Sequence, residues 1–157
     1  MNAALAYRDD RLEGRGITLT PIGDSRRASQ AQGSAAFSNR PPDWLSEAVE
    51  RLLTLLRLPV GWDGHRGNPT TVASASYALE VLGRIMRPGV PLPSIMPLSN
   101  GGVQLEWHRK GWDVEVEIVG GRKVDVFTHN LASGEEAELE INADLSALSA
   151  VVEQIRD

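Results

Sequence analysis

The stretch Gly101-Gly102-Val103-Gln104-Leu105-Glu106-Trp107-His108-Arg109-Lys110-Gly111-Trp112-Asp113-Val114-Glu115-Val116-Glu117-Ile118 decides the fold. Val103, Leu105 and Trp107 alternate with Gln104, Glu106 and His108. After Arg109-Lys110-Gly111, the residues Trp112, Val114, Val116 and Ile118 alternate with Asp113, Glu115, Glu117 and Val119. A period of two puts successive side chains on opposite faces of an extended chain. Two such runs joined by a glycine-bearing turn read as an antiparallel hairpin, because glycine supplies the positive φ that a tight turn needs.

The same pattern continues downstream. Val124 and Val126 alternate with Lys123, Asp125 and Phe127, and Ala137, Leu139 and Ile141 alternate with Glu136, Glu138 and Glu140. Gly120-Gly121 and Ala132-Ser133-Gly134 mark the intervening turns. Upstream, Pro91, Pro93 and Pro97 enforce an extended segment in which Ser94-Ile95-Met96 suits only an edge strand. The meander therefore has four strands, or five with that edge.

Before the sheet the period is helical. Trp44, Leu45, Ala48, Val49, Leu52, Leu53, Leu55 and Leu56 recur at helical spacing behind Pro41-Pro42. Asp43 is the expected N-cap, and the helix is expected to run to about Arg57, ahead of Pro59. A second helix is expected from Thr70 or Thr71, with Val72, Ala75, Leu79, Leu82, Ile85 and Met86 as its apolar stripe and Pro88-Gly89 as its stop. Asp144 is placed to cap a last helix carrying Leu145, Leu148, Val152 and Ile155. The order predicts an α+β fold: a helical hairpin, an antiparallel meander of four to five strands, then a C-terminal helix, with the helices on one sheet face.

The 157 residues divide into an Arg-containing N-terminal segment, 1–42, and a single α+β domain, 43–157. The first holds Arg8, Arg11, Arg15, Arg26, Arg27 and Arg40 against Asp9, Asp10, Glu13 and Asp24. Its formal charge is thus +2, and with −5 on the whole chain, −7 remains on the domain. An acidic body argues against direct nucleic-acid or anionic-membrane binding, since both need a positive footprint. Residues 1–42 lack sustained periodicity and read as flexible. Within them, Gly16 to Ile22 alternates and is able to add a strand to a sheet edge, and Arg26-Arg27-Ala28-Ser29 resembles a basophilic kinase site. The chain has no cysteine, which excludes disulfides, thiolate catalysis and Cys-ligated metals. The first ten residues lack the apolar core of a signal peptide, and no apolar run spans a bilayer, so the sequence reads as cytoplasmic.

Alternation places Glu106, Asp113, Glu115, Glu117, Asp125, Glu136, Glu138 and Glu140 on the sheet face away from the apolar residues, with Gln104, His108, Lys123, Phe127 and His129 among them. A one-sided antiparallel sheet normally solvates its polar face. Here cations are sparse, although sheets ordinarily pair opposite charges across strands. Glu106, Asp113, Glu115, Glu117, Asp125 and Glu138, together with Arg26 and Arg27, are the candidate partner-binding residues. No catalytic residue, metal or cofactor is assigned. His108 and His129 with Glu106 or Asp125 lack any short ligand motif. Asp63 and His65 in Gly61-Trp62-Asp63-Gly64-His65 fit a turn, in which Asp bonds its own backbone and Trp62 plugs a gap between helices and sheet. Of the other tryptophans, Trp44 and Trp107 lie on apolar faces and are expected in the core; Trp112, at a strand start near a hairpin, is expected to be buried, the alternative being a half-exposed interface anchor beside His108.

Leu58-Pro59-Val60-Gly61-Trp62-Asp63-Gly64, the Pro-led helix at 69–86, the Pro-rich segment 91–97 and Gly101-Gly102-Val103-Gln104-Leu105-Glu106-Trp107 together resemble a group of small uncharacterised bacterial proteins. That resemblance covers roughly residues 43–142. It implies accessory cargo of mobile elements or of toxin–antitoxin and defence loci, and it carries no functional residues. The expected function is a non-catalytic protein-binding module of antitoxin, immunity or inhibitor type, acting on a basic protein partner through the acidic face, the N-terminal segment or both. The alternatives are a small hydrolase or nuclease-like enzyme using His65, His108 or His129 with carboxylates, and a structural subunit of a larger complex.

Overall fold

The computed structural model describes residues 41–142 and 144–157. The expectations for Arg26, Arg27 and the rest of residues 1–40 lie outside the described residues. The elements follow in the order α1 (Asp43–Leu55), α2 (Val72–Ile85), β1 (Ser94–Pro97), β2 (Val103–Arg109), β3 (Trp112–Val119), β4 (Lys123–Asn130), β5 (Glu135–Ile141) and α3 (Ser146–Gln154). The strands form one sheet in the order β1-β2-β3-β4-β5, every neighbouring pair antiparallel. This is the expected α+β meander, with Ser94-Ile95-Met96 joining as its fifth strand.

Alternation fixes the register, because a one-residue slip would turn every valine to solvent. On one face Ile95 stands beside Leu105, Leu105 beside Val116 and Val116 beside Val126. A second row runs Val103, Ile118, Val124 and Ile141. These side chains are buried together with Ala48, Leu52, Leu55, Ala78, Val81, Leu82, Ile85, Leu148, Val152 and Ile155 of the three helices. α1 lies against β1, α2 against β2 and β3, and α3 against β3 and α2.

Details of the helices depart from expectation. Asp43 is not the N-cap of α1 but its first residue. Pro42, at φ −58° and ψ 144°, is the flanking residue, and its carbonyl accepts from the Leu45 amide at 3.0 Å. A proline already fixed in φ serves that position, which leaves the Asp43 carboxylate in the first turn, where the helix dipole favours a negative charge. The helix closes at Leu55, short of Arg57. Arg57 and Leu58 donate to the carbonyls of Thr54 and Leu55, three residues back, so the last turn tightens before Pro59.

α2 starts as read, with Thr71 Oγ1 accepting from the Ser74 amide at 3.1 Å. Its buried stripe, however, is Ser74, Ala75, Ala78, Val81, Leu82 and Ile85. Val72 is 70% exposed: six residues before Ala78, it lies about 120° round the helix from the stripe centre. Asp144 sits one position outside the residue flanking α3, and its carboxylate accepts from the Ser146 amide at 2.9 Å. That bond holds the Asp144 carboxyl below its ordinary range.

Of the tryptophans, Trp107 is buried and donates from Nε1 to the Pro91 carbonyl at 2.8 Å, whereas Trp44 and Trp112 are half-buried. Trp112 shares the helix-side face with Val114 and so points away from His108. Among the described residues no helix is long and apolar enough to cross a membrane.

Candidate functional site

Among the described residues, the residues singled out by the sequence fall in two places: the turn between α1 and α2, and the sheet face opposite the helices.

In the turn, Asp63 curls its carboxylate back over its own loop. Oδ1 accepts from the amides of His65 at 2.9 Å and Gly67 at 3.0 Å. These two bonds, His65 first, hold the Asp63 carboxyl below the ordinary aspartate value. Gly67 is required here, since a Cβ on it would come within 2.7 Å of the Asp63 carboxylate. Trp62 is half-buried and donates from Nε1 to the Asn68 carbonyl at 3.0 Å. The loop is fastened to the sheet: Asn68 donates to Ser99, and Thr71 to Gly101, at 2.8 and 2.9 Å. Gly102 completes the junction, because a Cβ there would meet the Ile118 carbonyl at 2.7 Å. Buried Ser74 accepts from the Gly120 amide at 3.0 Å and shares a proton with Thr71 Oγ1 at 2.8 Å. Asp63 and Ser74 are thus occupied in holding this junction.

His65 is part of that loop, whose Asn68 and Thr71 bond the turn ahead of β2. His108 lies six residues along the same strand from Gly102, about 20 Å away at 3.3 Å per residue. The geometry does not bring His65 together with His108 and His129.

The sheet face gathers the residues singled out from alternation. One cross-strand row reads Ser94, Glu106, Glu115, Phe127, Glu138; the next reads Met96, Gln104, Glu117, Asp125, Glu140; a third reads His108, Asp113, His129, Glu136. Glu106 therefore faces Glu115 directly, Glu117 faces Asp125, and Asp125 faces Glu140. Glu106, Asp113, Glu115, Glu117 and Asp125 are half-buried by their neighbours, while Glu136, Glu138 and Glu140 are exposed.

Two cations relieve part of this charge. Lys123 Nζ lies 3.2 Å from Asp125 and 3.6 Å from Glu140, and these carboxylates raise its pKa. The His108 ring bridges Asp113, at 2.7 Å from Nδ1, and Glu106, at 3.0 Å from Nε2. A neutral imidazole has one N–H and would turn its lone pair on one of these oxygens, whereas the imidazolium donates to both. The Asp113 bond, then the Glu106 charge, accordingly raises the His108 pKa. Because its two nitrogens point to different carboxylates, His108 does not converge with them on one ion. Among the described residues no group of three or more His, Asp and Glu side chains is arranged to hold a metal. Gln104 donates to Glu115 at 3.3 Å. Among the described residues Glu117, Glu136 and Glu138 have no cationic partner at salt-bridge distance.

Phe127 was not among the residues singled out for binding. It lies half-buried in an open concavity of about 410 Å³ whose walls are Glu115, Glu117, Asp125, Glu138 and Glu140. Its place on the polar face of an alternating strand is the signal that marks it: a large apolar side chain where a solvated residue is the rule.

No protein-family model matches the chain, and no curated protein or solved structure is significantly similar to it.

Proposed function

We propose that the protein is a non-catalytic binding module, of the antitoxin, immunity or inhibitor kind, which docks a basic protein partner on the outer face of its sheet. The observation that carries this reading is the register of like charges: Glu106 opposite Glu115, Glu117 opposite Asp125 and Asp125 opposite Glu140. Like charges directly opposite one another destabilise a sheet, and Lys123 and His108 offset only part of this repulsion. A cationic surface brought against the face converts each repulsion into an attraction and steers its own approach. The Phe127 concavity suits one arginine in particular, with the guanidinium over the ring and carboxylates on either side.

The test is quantitative co-purification of bound protein by the wild type, by the Glu115→Lys/Glu117→Lys double variant and by Glu50→Lys, which reverses an exposed acid on α1. The reading expects the double variant to lose a partner that Glu50→Lys retains, and expects the wild-type complex to weaken steeply with salt. Equal capture by all three proteins at low salt would overturn it.

A further inference from the structure

The sheet has two edges, and they are finished differently. At β1 the outer edge is closed. Pro97 removes an amide from the strand and Pro93 precedes it, while the Arg51 guanidinium of α1 donates from Nε to the Ile95 carbonyl at 2.9 Å. Prolines, a short strand and a covering element are the usual ways of denying an edge to another chain. Among the described residues none of these protects β5. It pairs with β4 along its whole length, from Asn130↔Glu135 to Val124↔Ile141, and among the described residues no strand pairs with its other side. It holds no proline and no lysine, and Glu135 to Glu140 are all exposed. The helices do not reach this far: Leu139, on the helix-side face, is 39% exposed.

We infer that the free edge of β5 receives an extended segment of the partner as a sixth strand, one in which Lys or Arg alternates with apolar residues. The chemistry follows from the two faces of β5. Glu136, Glu138 and Glu140 line the outer face, so an added strand places one set of its side chains directly across from three carboxylates. Ala137 and Leu139 line the other face and offer apolar contact to the alternate set. Main-chain hydrogen bonds along the edge supply the remaining attraction. A second copy of β5 is a poor occupant, because antiparallel pairing of two such edges sets one glutamate row beside another. The inference rests on the proposed function in taking the partner to be basic, and it adds the mode by which that partner is held.

The probe is a capped, fluorescently labelled peptide Lys-Val-Lys-Val-Lys-Val-Lys, titrated against the full chain by anisotropy. Its controls are the same residues as Lys-Lys-Lys-Lys-Val-Val-Val, and two N-methylated forms, one methylated at the valines and one at the lysines. In an added antiparallel strand only alternate amides face the edge. The alternating peptide is therefore expected to bind at least about tenfold more tightly than the blocked sequence, and one N-methylated form to lose binding about tenfold while the other stays within threefold. Binding should also slow amide exchange in β5. Equal binding by all four peptides, lost in Glu115→Lys/Glu117→Lys, would sink the edge inference and leave the acidic face standing. Binding by none of them would overturn both. Slow exchange of the outward β5 amides before peptide is added would show the edge already covered and overturn the inference.

Discussion

Reversing a single charge on the sheet, Glu115→Lys, should stabilise the protein, and by an amount that depends on salt. Glu115 stands across from Glu106 and two residues along its own strand from Asp113 and Glu117. Above the pH at which His108 loses its proton, so that it no longer offsets Glu106 and Asp113, and taking about 5.5 Å to the first and about 7 Å to each of the others, with the dielectric constant of water and a Debye length of about 8 Å, the three repulsions sum to about 0.9 kcal/mol at 0.15 M salt. Lysine turns repulsion into attraction, a swing of about 1.7 kcal/mol, from which the lost Gln104 hydrogen bond takes roughly 0.5–1 kcal/mol. The expected net gain is about 1 kcal/mol, or roughly 4 °C in Tm for a domain of this size. At 0.01 M salt the Debye length of about 30 Å raises the swing to about 3 kcal/mol, and at 1 M it shrinks to about 0.5 kcal/mol, near or below the hydrogen-bond loss. Urea unfolding of the wild type, Glu115→Gln and Glu115→Lys at these three salt concentrations, at a pH above the His108 titration, provides the measurement. The expected order at low salt is Lys above Gln above Glu, converging at high salt. A gain that ignores salt, or a destabilised lysine variant at 0.01 M, would refute the claim that this face holds uncompensated charge.

Other expectations follow from the same geometry. His108 has a raised pKa in the folded state, so its contribution is fully present below the unfolded value of about 6.5 and is lost as pH rises through the folded value. Urea unfolding between pH 5 and pH 9 should show stability falling through that window, and His108→Gln should flatten the fall; an unchanged profile would contradict the bridge to Asp113 and Glu106. Gly67→Ala should cost about 1–3 kcal/mol, because the new methyl meets the Asp63 carboxylate, and should cost measurably less in an Asp63→Ala background, a non-additivity that a double-mutant cycle reads directly. Leu105→Ala, which empties a site between Ile95 and Val116 on the fully buried face, should lower stability by about 2–5 kcal/mol with no change in the salt dependence of unfolding.

The strands were the most legible part of this chain, for a physical reason: Val114-Glu115-Val116-Glu117-Ile118 permits one extended register only, and each intervening turn carries glycine. The faces followed from that register without further information. Boundaries at helix ends were less legible. Whether Pro42 or Asp43 flanks α1 depends on which residue supplies the non-helical ψ, and a proline and an aspartate both qualify. The start of the α2 stripe is not legible either, because Val72 falls at helical spacing from Ala75 and yet sits at the margin of the arc that the sheet covers. Leu139 shows what alternation cannot carry. It belongs to the apolar face by period, yet none of the described helices lies over it, and how far helices extend across a sheet is set by packing between segments remote in sequence. The concavity at Phe127 and the edge of β5, unpaired among the described residues, were hidden for the same reason. Sequence places a residue on a face; only the fold says where that face stops being covered.

The loop joining the first two helices is stitched to the sheet at Ser99 and Gly101, and Ser74 of α2 reaches the β3–β4 turn at Gly120. The helices are thus mounted on the sheet more than on each other. A fragment holding only the helical hairpin would retain Asp63's local turn but lose every long-range bond that positions it, so the hairpin has little standing as an independent folding unit. The place of the hairpin is therefore dictated by the turns of the sheet at Ser99, Gly101 and Gly120, and a change in either turn would be felt at α2.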